Sequence, residues 1–341
     1  MGDVTTIGLD IAKASFQAHG ADASGAVVFR KRLSRGRLLA FFAAQPPCVV
    51  VMETCSGAHH WGRELTRMGH TVRLIPPAYV KPFVKRQKND EADAEAICEA
   101  AQRPTMRFVA VKSAEQQALG VVFRARDLLV RQRTQIINAI RGHVAEYGTV
   151  APKGVCYVER LVAQIDDADS ELPQAARESL KILAGVLAKL SGEVAVLDQE
   201  IARRVKEDLT ARRLMTIPGV GPITAAALVA LAPAPEAFRR GRDFSAWLGL
   251  TPLQKSTGGK QKLGQITKMG ERTLRRLLVI GASAVIKQTM LKGAPPGSWL
   301  AQIIARKPRM LAAVALANKT ARIVWALLAK GGTYRAPAPA A

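Results

Sequence analysis

Residues 48–57 read CVVVMETCSG. The run Cys48–Met52 is apolar throughout and three of its five residues are valine. That pattern predicts a strand buried on both faces, as in a sheet covered by helices. The run stops at Glu53. Gly57–Met68 then reads as a helix, and Thr71–Ile75 as a further strand before Pro76-Pro77. Upstream, Val4–Leu9 is a short apolar run ending at Asp10. Ser15–His19 and Ala26–Arg32 read as two more strands, joined by the turn-like Ala21–Gly25. Asp90–Gln102 (DEADAEAICEAAQ) reads as a helix rich in Ala and Glu. The order β-β-β-α-β-α-β-α predicts an α/β sheet with helices packed on it.

The rest of the chain is helical. Ser113–Tyr147 has no Pro and carries apolar residues at helical spacing. Leu180, Leu183, Leu187, Leu190, Val194, Leu197 and Ile201 step by 3 and 4 alternately. That is a heptad seam over about three heptads, which suits a coiled coil or an ordinary core-facing helix equally. The longest uncharged run, Leu214 to Pro235, is interrupted by six Pro and Gly residues. Its continuous apolar part is shorter than the roughly 20 residues that cross a bilayer, so it reads as a turn and a helix. Gly331–Ala341 is a small, Pro-rich tail and reads as disordered. The N-terminus shows no basic region followed by an apolar one, so no signal peptide is read.

The 341 residues include 50 Lys+Arg and 27 Asp+Glu, a formal net charge of +23. Such a balance calls for a polyanionic partner, nucleic acid or an anionic membrane surface. At 48% hydrophobic residues the chain is no disordered basic tail. Residues 1–110 carry 15 basic and 10 acidic side chains, 111–210 carry 14 of each, and 211–341 carry 21 and 3. The polyanion contact therefore belongs mostly to the C-terminal third. Cys48, Cys55, Cys98 and Cys156 form no CxxC pair, which argues against a zinc site or a disulfide framework and fits a reducing cytosol.

Two constellations carry chemistry. Asp10 and Glu53 lie at strand ends, and Asp90 and Asp93 lie three apart at a helix start, where i and i+3 face the same way. Strand ends and a helix N-terminus can converge at one sheet edge. Four carboxylates there would need cations. Mg²⁺ is the hard, oxygen-seeking ion that fits, and two ions about 3.5–4 Å apart can clamp a phosphodiester. Asp90 and Asp93 could equally be helix N-terminal charges, and Glu91, Glu95 and Glu99 read as that helix's solvated face.

The second constellation is basic. Ile217–Thr224 (IPGVGPIT) is a helix-hairpin-helix-type turn, in which Gly219 and Gly221 let backbone N–H groups approach a phosphate. A plain tight turn is the alternative. Then follows LGLTPLQKSTGGKQKLGQITKMGERTLRRLL, residues 248–278. Ser256 and Thr257 precede two glycines, with Lys255, Lys260, Lys262, Lys268, Arg272, Arg275 and Arg276 near. Ser256 could attack a phosphate, or the loop could merely bind one. No His lies nearby to act as base. His59 and His60 could approach the acids, or serve packing.

The motifs GLDIAK, METCSGAHHW, KNDEADAEAI, IPGVGPITA and GLTPLQKSTGGKQKLGQITKMG, in this order over about residues 4–330, resemble the DEDD-type transposases of the insertion sequence one-hundred-and-ten family, most like its one-thousand-one-hundred-and-eleven branch. The resemblance implies a RuvC-like, RNase H-type catalytic domain over 1–110, a helical coiled-coil linker and assembly region over 111–210, and a mostly α transposase domain with a helix-hairpin-helix-like motif over 211–330. It makes Asp10, Glu53, Asp90 and Asp93 the Mg²⁺-binding acids and Ser256 the nucleophile of a serine–DNA intermediate. It implies a guide (bridge-type) RNA that pairs with donor and target DNA. It also implies dimers that assemble into a tetramer whose sites combine the acids of one subunit with the serine of another. The place of action would be the bacterial cytoplasm, with no membrane role. Arg124, Arg126, Arg131 and Arg133 would add RNA backbone contacts. The runner-up is a Mg²⁺-dependent Holliday-junction-resolving nuclease with the same acids and no covalent serine. A non-catalytic nucleic-acid-binding scaffold is a third reading.

Overall fold

A computed structural model describes residues 3–85, 89–152, 154, 157–167, 171–293 and 297–336. The chain divides into two compact units, residues 1–117 and 118–341.

The first unit runs β1 (Thr6–Ile11), β2 (Ser15–Ala21), β3 (Val27–Ser34), α1 (Leu38–Ala43), β4 (Val49–Glu53), α2 (Ala58–Arg67), β5 (Thr71–Ile75), α3 (Pro77–Val80) and α4 (Asp90–Ala101). Its five strands form one mixed sheet in the order β3-β2-β1-β4-β5. The first three strands are antiparallel neighbours, and β1–β4 and β4–β5 are parallel. The valine run that predicted a buried strand is the β4 interior, with Val50, Val51 and Met52 fully buried. Two apolar layers flank the sheet. On one face Ile7, Leu9, Val50 and Met52 pack with Phe16, Phe42, Trp61 and Leu65. On the other, Val51 and Ile75 pack with Ala96, Ile97 and Ala100 of α4.

Strand β1 extends to Ile11, so Asp10 lies inside it rather than just beyond it. Asn89 caps α4 by accepting from the Ala92 amide at 2.7 Å. Asp90, Glu91 and Asp93 fill its first turn, where the helix dipole favours negative charge. The expected solvated face is busier than that. Glu95 pairs with Arg30 and Lys85, and Glu99 with Lys85 and Arg103.

The long helix α5 (Ala114–Ala145) leads into the second unit, followed by α6 (Val158–Asp166), α7 (Gln174–Glu207), α8 (Leu209–Leu214), α9 (Pro222–Leu231), α10 (Gly241–Trp247), β6 (Pro252–Gln254), β7 (Leu263–Ile266), α11 (Arg272–Lys292), α12 (Trp299–Arg306) and α13 (Arg309–Lys330). The heptad seam lies on α7, where Leu180, Leu187, Val194 and Ile201 are buried and the alternate leucines are half-buried. Its N-terminal end packs with α5 and α6 through Ile137, Ile140, Leu161 and Ile165. Its C-terminal end, Ile201 and Val205, joins the main core with Leu214, Leu228, Phe244, Leu278 and Ala321. The segments that charge divides at 210 therefore share one packed unit. Arg126 on α5 makes a two-pronged ion pair with Asp198 on α7, and Arg131 lies 3.8 Å from Asp127. Arg126 is thus occupied inside the fold, whereas Arg131 stays exposed.

Helix α13 is long and apolar enough to cross a membrane by length and composition. Here Ala312, Ala313, Ala317, Ala321 and Val324 are fully buried against other helices of the unit. Of the tail that composition reads as disordered, 337–341 lie outside the described residues. Residues 331–336 form no helix or strand, yet Tyr334 packs on the main core and its amide donates to Thr216 Oγ1 at 2.9 Å. Cys48, Cys55 and Cys98 are free thiols, and burial pushes Cys48 up to about 11. Cys156 lies outside the described residues.

Strand β1 and helix α4 meet backbone to backbone at Gly8. A Cβ on Gly8 would stand 2.4 Å from the Ala94 carbonyl oxygen and 2.8 Å from the Cys98 Cβ. Gly8→Ala must therefore push α4 off the sheet. We expect it to cost about 1–3 kcal/mol, the range for overpacking a close contact. The check is denaturant unfolding of the full chain, and an unchanged midpoint would contradict this packing.

Candidate active site

The acids occupy one edge of the sheet by register. Leu9 pairs with Met52 between parallel strands, so Asp10 and Glu53 come next on neighbouring strands and on one face. Gly8, two residues before Asp10, points to α4, so Asp10 shares that face. Helix α4 runs against β1. Cys98 Sγ lies 4.0 Å from the Thr6 carbonyl, and Ala94 lies over Gly8. One helical turn from Ala94 to Asp90 advances about 6 Å, close to the ~6.6 Å from Gly8 to Asp10. Asp90 and Asp93 are thus carried toward the end of β1 that holds Asp10.

All four keep contact with water: Asp90 is exposed and the others are half-buried. Cys55 lies within electrostatic reach of two of the acids. Its thiol is raised by burial and then by the charges of Asp10 and Glu53, so both carboxylates act on one sulfur. The sequence reading passed over Cys55. Among the described residues no three His, Cys, Asp or Glu side chains gather closely enough to hold an ion. The backbone frame aligns the acids; their oxygens are not drawn onto one point. The donors are hard carboxylate oxygens, which suits Mg²⁺ rather than a softer metal.

Three of the histidines are held by contacts or burial within the fold. His59 Nδ1 accepts from the Lys112 amide at 3.1 Å. His70 bridges the Cys48 amide at 3.3 Å and the Phe42 carbonyl at 3.2 Å. His19 is buried in β2, and that burial holds its pKa below the usual value.

In the second unit, the segment read as a loop around Ser256 is a β-hairpin. Gly258 and Gly259 have φ of +54° and +76°, as a two-residue type I′ turn requires. Thr257 pairs with Lys260, Lys255 bonds Lys262, and Gln254 pairs with Leu263. Alternation along this ladder places Lys255, Thr257, Lys260 and Lys262 on one face. Gln254, Ser256, Gln261 and Leu263 share the other. Gln254 Nε2 donates to Ser256 Oγ at 3.2 Å. The two candidate hydroxyls are therefore separated: Thr257 sits among the lysines, and Ser256 sits on the amide-lined face. Lys255, Ser256, Lys260 and Lys262 are all exposed.

The hairpin stands on a clamped base. Arg275 Nη1 donates to the carbonyls of Leu248 at 2.9 Å and Met269 at 2.6 Å, joining the two ends of the excursion. Asn318 of α13 donates to the Leu250 carbonyl at 3.1 Å. Lys268 is the one non-glycine residue with positive φ among those described, at +55°, and its amide bonds Gly249 O. Arg276 is ion-paired with Asp127 of α5. Of the cations expected at phosphate, Arg275 and Arg276 thus hold protein groups. Lys255, Lys260, Lys262, Lys268 and Arg272 remain exposed.

The two turn glycines also differ. Gly219 has φ +84°, and a Cβ there would meet Gly281 of α11 at 2.8 Å, so close helix packing explains it. Gly221 caps α9 with open space around it. Only Gly221 leaves room for a phosphate.

We expect Arg275→Met to speed hydrogen exchange at the Thr267 and Lys268 amides and to cost about 1–3 kcal/mol, the range for hydrogen bonds to a charged group. Protection equal to the wild type would show that the hairpin base does not depend on this guanidinium.

Residues 211–293 match the family described as "Transposase IS116/IS110/IS902 family", and residues 7–149 match the DEDD domain of IS110 transposases. The chain is 47% identical over 335 residues to a "Probable family 20 transposase" of Pseudomonas aeruginosa, covering 98% of this chain and 99% of that one. It is 45% identical over 333 residues to the "Putative transposase y4pF/y4sB" of Sinorhizobium fredii, covering 97% and 86%. It is 40% identical over 337 residues to the "Transposase for insertion sequence element IS1111A" of Coxiella burnetii, covering 98% and 92%. The chain belongs to the IS110/IS116/IS902 transposase family, and it is an enzyme of DNA transposition.

Proposed function

We propose that this transposase cuts and rejoins DNA through a covalent link to Ser256, with the four acids holding Mg²⁺. The observation that supports it best is the division of the hairpin. Ser256 is exposed, turned away from the lysines and bonded to Gln254 on a ribbon closed by a two-residue turn. That presents a hydroxyl to a phosphodiester while the opposite face offers Lys255, Lys260 and Lys262 to the backbone.

Ser256 Oγ attacks the phosphorus. The Oγ–P bond forms, the bond to the 3′-oxygen breaks, and the freed 3′-hydroxyl takes up a proton. A carboxylate of the acid set accepts the serine's proton, since no histidine stands ready near the hairpin. Asp10, Glu53, Asp90 and Asp93 are the residues that would hold Mg²⁺. When bound there, the ion would neutralise charge on the phosphoryl oxygens. Rejoining is the reverse attack by a 3′-hydroxyl from another strand, which releases Ser256.

The wider reading follows the resemblance. A guide RNA selects donor and target DNA by pairing. Subunits assemble into dimers and a tetramer, in which acids and serine come from different subunits, through surfaces other than the α7 seam, whose residues pack within their own unit. Gly221 at the start of α9, Lys268 and Arg272 contact DNA backbone. Work on chromosomal DNA places the protein in the bacterial cytoplasm.

The test is a cell-free reaction with purified protein, Mg²⁺, donor and target DNA, with and without RNA transcribed from the element's flanks. Products are resolved on a denaturing gel before and after protease. We expect RNA-dependent joining and a protease-sensitive protein–DNA adduct that Ser256→Ala abolishes and Thr257→Ala retains. Cutting by Ser256→Ala with no adduct would favour the junction-resolving nuclease instead.

A further inference from the structure

The first unit holds a concave surface that none of its four candidate acids lines. It is a cleft of about 530 Å³ between the segment after β5 and the segment after α4. That volume falls within the roughly 300–1,000 Å³ of small-molecule sites. Phe83 and Met106 form its floor, packed on the layer that contains Val51, Ile75 and Val80. Tyr79 stands on the rim and is 42% exposed. Its place is fixed by the proline turn, because its amide donates to the Pro76 carbonyl at 2.9 Å. Arg103 lies 5.7 Å from the Phe83 ring centroid and is held there by Glu99 at 2.9 Å. Arg107 lines the cleft and pairs with no carboxylate among the described residues. Two arginines and no acid line the cleft.

We propose that this cleft binds an unpaired nucleotide, its base stacked on Tyr79 and its phosphate on Arg107. An aromatic ring, a thioether floor and a planar guanidinium match a flat, polarisable base that has left its stack. The unpaired cation matches the phosphate that travels with it. Paired DNA keeps its bases stacked and cannot offer one to Tyr79. The location fits this use. Ile75 pairs with Glu53, and Tyr79 follows Ile75 by four residues. The cleft therefore opens from the same end of the sheet as the acids, one strand further along. A strand opened for cutting, or one paired elsewhere with RNA, would have an unpaired nucleotide there. The proposal rests on membership of the transposase family and does not depend on Ser256 as nucleophile.

The experiment uses the full chain and fluorescence anisotropy with short labelled oligo(U), oligo(dT) and duplex DNA. The variants are Tyr79→Ala, Tyr79→Phe and Arg107→Gln, each checked for wild-type thermal unfolding. Tyr79→Ala should weaken single-strand binding by about tenfold or more, as loss of one base–aromatic stack does. Tyr79→Phe should keep it, Arg107→Gln should weaken it, and duplex affinity should stay level. A larger loss on oligo(U) assigns the nucleotide to RNA, and a larger loss on oligo(dT) assigns it to DNA. Iodouracil photocrosslinking should then mark the peptide that contains Tyr79. Unchanged single-strand affinity in both Tyr79→Ala and Arg107→Gln, or equal losses on single strand and duplex, would overturn the proposal. So would the absence of a crosslink at Tyr79, which would leave the cleft to a protein partner. The readout is binding without cutting or joining, so failure here and failure of the serine reading are distinguishable.

Discussion

The contact of Gly8 with the backbone of Ala94 is the constraint on which the placing of the candidate acids depends. Without a side chain at Gly8, α4 settles directly on β1. The helix then lies close enough that one turn of α4 and two residues of β1 advance together. That equality brings Asp90 and Asp93 to the end of the strand that carries Asp10. Parallel pairing of β1 with β4 adds Glu53 beside Asp10. The Asn89 cap and the helix dipole make an acidic first turn acceptable before any ion binds.

The second unit solves a different problem. It must hold a small, exposed ribbon steady on a helical core. Arg275 does so by joining the carbonyls at both ends of the excursion, and Asn318 adds a bond from α13. Close approach of Gly219 to Gly281 locks the turn before α9 onto α11. These contacts are polar or backbone-to-backbone, and they set position more than they add apolar burial. The large excess of cations in this third of the chain then falls into two groups. Some guanidinium groups, such as Arg275 and Arg276, tie protein to protein. The hairpin lysines face water.

Much of this was legible in the sequence. The valine run, the proline after β5 and the Ala-rich helix gave the sheet and its cover, because strand burial and helix periodicity are local signals. The strand-end positions of Asp10 and Glu53 were legible because each follows an apolar run, and the helix-start positions of Asp90 and Asp93 because they follow Asn89. The hairpin was not: Ser-Thr-Gly-Gly reads as a flexible loop until the ladder Lys255–Lys262 shows both glycines at positive φ. The face of Ser256 depends on register, which composition cannot supply. The roles of Arg275, Arg276 and Gly219 depend on residues far along the chain, namely Leu248, Asp127 and Gly281. Tyr334 was misread with its tail because its partner, Thr216, lies more than a hundred residues earlier.

The most direct test of the central claim is calorimetric titration of the full chain with Mg²⁺, for the wild type, Asp10→Asn and Asp90→Asn. If β1 and α4 build one cation site, each single substitution should abolish or sharply weaken binding while thermal unfolding without metal stays close to wild type. Mg²⁺ binding that survives either substitution unchanged would show that the strand acid and the helix acid do not serve one site.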